Sequence, residues 1–80
     1  YFGNFILMLT DDKFLEKLGR KIELLGREKF KVQNDFSVAS NVDTRTLRRV
    51  IKQEQNPTIL VLRKIAIALD IPLKDLLDIE

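Results

Sequence analysis

Apolar residues recur along the chain in short helical blocks separated by polar breaks. The first block is Phe14, Leu15, Leu18, Ile22 and Leu25, spaced as one face of a helix. Thr10 precedes it as a candidate N-cap, and Asp11 and Asp12 follow where the helix dipole favours acids. This predicts a first helix ending near Gly26, then a charged connector from Arg27 to Lys31 that carries Phe30. A shorter pattern, Val32, Phe36, Val38 and Ala39, predicts a second helix ending at Ser40-Asn41, where asparagine tolerates a left-handed backbone. Val42 is expected to be buried in the connection. Asp43 is the expected N-cap of a third helix that presents Leu47, Val50 and Ile51 on one apolar face and runs to about Gln53.

Asn56-Pro57 closes the next connector, since the residue before proline avoids the helical region and proline suits the first turn of a new helix. Ile59, Leu60, Leu62, Ile65, Ala66 and Leu69 then predict a largely apolar fourth helix, the expected core helix. Asp70-Ile71-Pro72 breaks it, and Leu73, Leu76, Leu77 and Ile79 suggest a short fifth. No heptad persists long enough for a coiled coil. The expectation is an all-α fold with residues 11–80 as one compact five-helix domain and residues 1–10 as an N-terminal arm. In that arm, Phe5 to Leu9 is too short for a membrane span and lacks the basic start of a signal peptide. A short strand, a packed arm and a dimer contact all remain open for it, and Tyr1-Phe2-Gly3 is open to reading as an expression remnant.

Composition removes several kinds of chemistry. Cysteine and histidine are both absent, which excludes disulfides, the usual zinc ligands and the commonest general base. Neither the phosphate-binding patterns GxxxxGK[ST] and GxGxxG nor the nucleophile pattern GxSxG occurs. Asp35, Asp43 and Ser40, the polar groups nearest to an enzymatic reading, are better explained as caps and turn residues. The expectation is therefore no enzyme, no cofactor and no metal, with the reducing cytoplasm as the natural compartment for a chain without cysteine.

The net charge of +2 conceals an uneven distribution. From Arg20 to Lys52 there are nine Lys/Arg against four acids, an excess of +5 that leaves −3 for the remainder. The excess concentrates on the third helix, where Arg45, Arg48, Arg49 and Lys52, with Thr44, share the side opposite Leu47, Val50 and Ile51. Such a helix can pack on its own domain while its charges enter a groove. Arginine in its first turns can bond guanine bidentately, and lysine farther along suits phosphate. Standing alone, an amphipathic helix with a basic face is more often a solvated surface.

The neighbouring pattern supplies the missing context. Gln33 is followed by Phe36 and Ser37, then by Asn41-Val42-Asp43, Leu47 and Val50, Asn56-Pro57-Thr58, and Leu62 through Ala68-Leu69-Asp70-Ile71-Pro72-Leu73 to Leu76-Leu77. Over roughly Phe14 to Leu77 the chain resembles the lambda repressor/Cro-like (XRE-type) helix-turn-helix domains. The resemblance implies a compact five-helix lambda-repressor-like fold and a sequence-specific transcriptional regulator that occupies double-stranded operator DNA in a prokaryotic cell or as a phage product. It implies base contacts from Thr44, Arg45 and Arg49, and phosphate contacts from Gln33, Arg48, Lys52 and Asn56. It further implies a homodimer on a palindromic site.

The chain departs from that pattern in ways that carry expectations. Val32 stands where the family commonly caps the second helix with serine or threonine, which predicts a later start with Asn34 or Asp35 nearer the cap. Gln53 replaces a glycine. Ile51 replaces a glutamate that pairs with a first-helix arginine, and the matching first-helix position is Gly26, so an apolar contact of Ile51 with the first helix is expected instead. The rival reading is a protein-interaction module, or an antitoxin-like component of a toxin–antitoxin pair, that uses Phe5 to Leu9 and Phe30 to hold a protein partner.

Overall fold

The computed structural model describes residues 10–54 and 56–79, so the arm of residues 1–9, Phe5 to Leu9 included, lies outside the described residues. Among the described residues five helices follow one another: α1 (Asp11–Lys29), α2 (Gln33–Ser40), α3 (Thr44–Ile51), α4 (Ile59–Ala68) and α5 (Leu73–Leu76). Among the described residues there is no strand, and the fold is all-α as expected.

Helix α1 begins as the sequence indicates. The Thr10 hydroxyl accepts from the Lys13 N–H at 3.3 Å, and Asp11 and Asp12 occupy the first turn. It ends later than expected, at Lys29, with Phe30 as C-cap donating its N–H to the Gly26 carbonyl at 2.8 Å. Gly26 has an ordinary helical backbone, because its missing side chain serves packing: a Cβ there would stand 2.6 Å from the Phe36 ring. The supposed connector therefore continues the helix to Lys29, supported by the Glu23–Arg27 pair at 3.0 Å. Gly19 has a similar purpose, since a Cβ there would lie 2.5 Å from the Ile51 carbonyl oxygen. At that point the backbones of α1 and α3 touch.

Helix α2 begins at Gln33, not later. Val32 is extended, with φ −129° and ψ 154°, and offers no side-chain cap. Tertiary contacts hold the start instead: Phe36 is buried and stacks on Phe30 with ring centroids 5.2 Å apart and planes 11° from parallel. Val32, Val38 and Ala39, taken from the sequence as an apolar face, are exposed, and Phe36 and Ser40 are the buried residues of this helix. Asn41 closes α2 in the left-handed region at φ 57°, as the sequence suggests. The Ser37 hydroxyl donates to the Val42 carbonyl, and Val42 is buried.

Helices α2, α3 and α4 end alike. Asn41, Gln53 and Asp70 take φ values of 57°, 65° and 61°. The residue after each donates its N–H five positions back: Val42 to Ser37, Glu54 to Arg49 and Ile71 to Ala66, at 3.2, 2.8 and 3.1 Å. For α3 this places the end at Ile51, two residues short of the expected Gln53.

Helix α4 starts at Ile59 with Thr58 as N-cap, whose hydroxyl accepts from the Val61 N–H at 3.1 Å. Pro57 lies before the cap instead of in the first turn. Leu62, Ile65, Ala66, Ala68 and Leu69 are buried, whereas Ile59 and Leu60 point to solvent. Helix α5 contributes the fully buried Leu76, and Lys21 of α1 donates to the Asp75 and Asp78 carbonyls at its end. Contacts of α1 with α2, α3 and α5, of α2 with α3 and α4, and of α4 with α5 enclose a core centred on Leu18, Ile22, Leu47, Ile65 and Leu76. No helix among the described residues is long and apolar enough to cross a membrane.

Candidate nucleic-acid interface

The α2–turn–α3 unit is rigidly built. Asp43 is extended at φ −62° and ψ 153°, and its carboxylate accepts from the Thr46 N–H at 3.1 Å and the Thr46 hydroxyl at 2.7 Å. The Thr46 hydroxyl above all, then its N–H, holds the Asp43 carboxyl below its ordinary value of 3.8. The cap is thus a carboxylate at neutral pH, where the helix dipole also favours it.

From that cap, α3 divides cleanly. Leu47 and Val50 are buried and Ile51 is half-buried, while Arg45, Arg48 and Arg49 are exposed and Thr44 is half-exposed. No acid lies between Thr44 and Lys52, and every ion pair among the described residues lies within α1. The cations of α3 therefore face solvent without a side-chain counter-charge, the arrangement that favours a polyanion.

The seven residues singled out from the sequence fall into three groups. Gln33, the exposed first residue of α2, comes together with Arg48 and Lys52 at one cleft. Thr44, Arg45 and Arg49 lie on α3 outside that cleft, and Lys52 is its C-cap, one residue past the helix. Asn56 is exposed in the connection before α4, apart from the cleft. Arg27 and Lys31 also line the cleft and were missed as site residues. The signal for them is the density of cations just before Gln33, in the segment the sequence reads as a charged connector. Phe30, offered for a protein contact, is half-buried and stacked on Phe36. Among the described residues, no cluster of acids could hold a metal ion.

A helix-turn-helix family model (HTH_3) matches residues 26–76, from Gly26 in the last turn of α1 to the last residue of α5. The chain belongs to the helix-turn-helix family, in its lambda repressor/Cro-like, XRE-type form. The match includes the whole of α2, the turn, α3, α4 and α5. The family is one of DNA-binding regulatory domains and is not typically enzymatic. Comparison with curated proteins and with solved structures found no match.

Proposed function

We propose that this helix-turn-helix domain is a sequence-specific transcriptional regulator that inserts α3 into the major groove of operator DNA. The observation that carries the reading is the segregation on α3, with Leu47 and Val50 buried and Arg45, Arg48 and Arg49 exposed behind an ionised Asp43 cap. Thr44, Arg45 and Arg49 contact base edges from the first two turns. Arg48, Lys52 and Gln33 hold phosphates, and Asn56 approaches the second strand from the loop after the reading helix. Two copies bind a palindromic site as a homodimer, inside a prokaryotic cell.

Selection of bound sequences from a random DNA pool tests the proposal. A short palindromic consensus with half-sites one helical turn apart is expected. In the double variant Arg45→Ala plus Arg49→Ala, both side chains are exposed, so folding is retained while discrimination falls by about 1 to 3 kcal/mol for each lost base contact. Wild-type affinity and specificity in that variant, or binding that does not weaken as salt rises, would defeat the proposal.

A further inference from the structure

Between the end of α1, the start of α2 and the end of α3 lies a cleft of about 260 Å³. Its apolar lining is Gly26, Phe30, Val32, Phe36 and Ile51. Gly26 stands on the α1 side of the cleft, where its missing side chain lets the Phe36 ring approach, and the half-buried Ile51 stands on the α3 side. Around it stand Arg27, Lys31, Arg48 and Lys52, with Gln33. The one acid, Glu23, is already paired with Arg27 at 3.0 Å. Three cations thus border an aromatic and aliphatic surface without an ion-pair partner among the described residues. The first turn of α2 adds to this potential, since Val32 supplies no side-chain acceptor to its N–H groups.

A binding pocket needs an apolar body and a few convergent polar groups, and pockets for small ligands begin at roughly 300 Å³. The cleft falls just below that range, so it suits an occupant smaller than a drug-sized ligand. Inorganic phosphate would use the cations and leave Phe30, Phe36 and Ile51 unused, while a neutral ring would do the reverse. We infer that this cleft is a ligand site for a small organic anion with a flat apolar body, a single-ring carboxylate of the size of benzoate. Since Gln33, Arg48 and Lys52 are shared between the cleft and the proposed phosphate contacts, the bound anion competes with DNA and acts as an effector. That second half rests on the DNA-binding proposal, whereas occupancy of the cleft does not.

The test begins without DNA. The isotopically labelled protein is titrated with benzoate, with benzamide as its neutral counterpart, and with inorganic phosphate, at matched ionic strength. Expected are saturable shifts at the Gly26 amide, the Ile51 methyls and the Gln33 amide with benzoate, and binding at least about fivefold weaker for benzamide and for phosphate. Lys31→Gln, at an exposed residue outside the proposed DNA contacts, weakens benzoate about twofold to fivefold, the scale of one exposed ion pair. Equal binding of benzamide or phosphate, an unchanged affinity in Lys31→Gln, or non-saturating shifts spread over all basic residues would overturn the site. DNA affinity is then measured with benzoate against chloride at equal ionic strength, with a drop of about tenfold expected at saturation. Saturable benzoate binding that leaves DNA affinity unchanged overturns the effector role alone. Failure of the protein to bind any DNA, with benzoate still saturating the cleft, overturns the DNA proposal and not the site.

Discussion

Helices α3 and α4 are close in length, eight and ten residues, but meet solvent in opposite ways. On α3 every exposed long side chain is an arginine, and the fully exposed and fully buried sets do not mix in character. On α4, Ile59, Leu60 and Ile67 are 58%, 66% and 60% exposed, although they are as apolar as the Leu62 and Ile65 buried beside them. Turning α3 about its axis would bury an unpaired guanidinium, at a cost of several kcal/mol. Turning α4 exchanges aliphatic side chains of similar transfer free energy, about 1.5 to 3 kcal/mol each, and only Arg63 and Lys64, exposed on the same side as Leu60 and Ile67, resist it by charge. Polarity thus orients α3 throughout, while on α4 Arg63 and Lys64 mark the outer side and the fit of Leu62, Ile65, Ala66 and Leu69 among their neighbours selects which aliphatic residues go inward.

The sharpest test of that contrast pairs two leucines. Leu47→Ala removes a side chain with 0% exposure and is expected to cost about 2 to 5 kcal/mol in urea unfolding, whereas Leu60→Ala on the outer side of α4 stays within about 0.5 kcal/mol. A large loss at Leu60 in a monomeric sample would break the contrast. The placement of α3 against α1 can be broken at Gly19, where an alanine Cβ meets the Ile51 carbonyl and backbone must shift. Gly19→Ala is expected to lose about 1 to 3 kcal/mol, despite alanine's better helix propensity, by the same measurement.

At the end of α3 the expected effect is smaller and of opposite sign. Gln53 holds φ 65°, a conformation that asparagine and aspartate tolerate at Asn41 and Asp70 better than glutamine does. Gln53→Gly should raise thermal stability by about 0.5 to 1 kcal/mol, net of glycine's backbone entropy. At the start of α3 the smallest effect is a pH dependence. Asp43 has a folded-state pKa below its unfolded value, so its contribution is present above the unfolded value and is lost as pH falls through the folded one. Proton-linked loosening of the Thr46 amide, followed by NMR, is expected only below about pH 4 and should disappear in Asp43→Asn.

Features with local causes were legible in the chain. Thr10 and Asp43 cap because short acceptor side chains satisfy the first N–H groups of a helix, and Asn41 closes α2 because asparagine accepts the left-handed backbone. The apolar face of α3, and with it the exposed row from Arg45 to Arg49, follows from spacing alone. The misread boundaries share one cause: residues with a local structural habit are used here for long-range contact. Gly26 reads as a helix end but accommodates Phe36. Val32 reads as a poor cap, yet α2 starts beside it because Phe36 is held against Phe30.

The position of α3, its cap and its charge follow from composition and period, which depend on neighbours within a few residues. Three-dimensional assembly settled the rest: which of the many aliphatic residues of α4 are buried, why Gly19 must lack a side chain, and that Gly26 and Ile51 share one cleft with Arg27, Lys31, Arg48 and Lys52. Those outcomes depend on groups up to dozens of residues apart meeting in space. No local pattern encodes that meeting, because apolar transfer free energy is nearly the same for each aliphatic side chain and carries no direction.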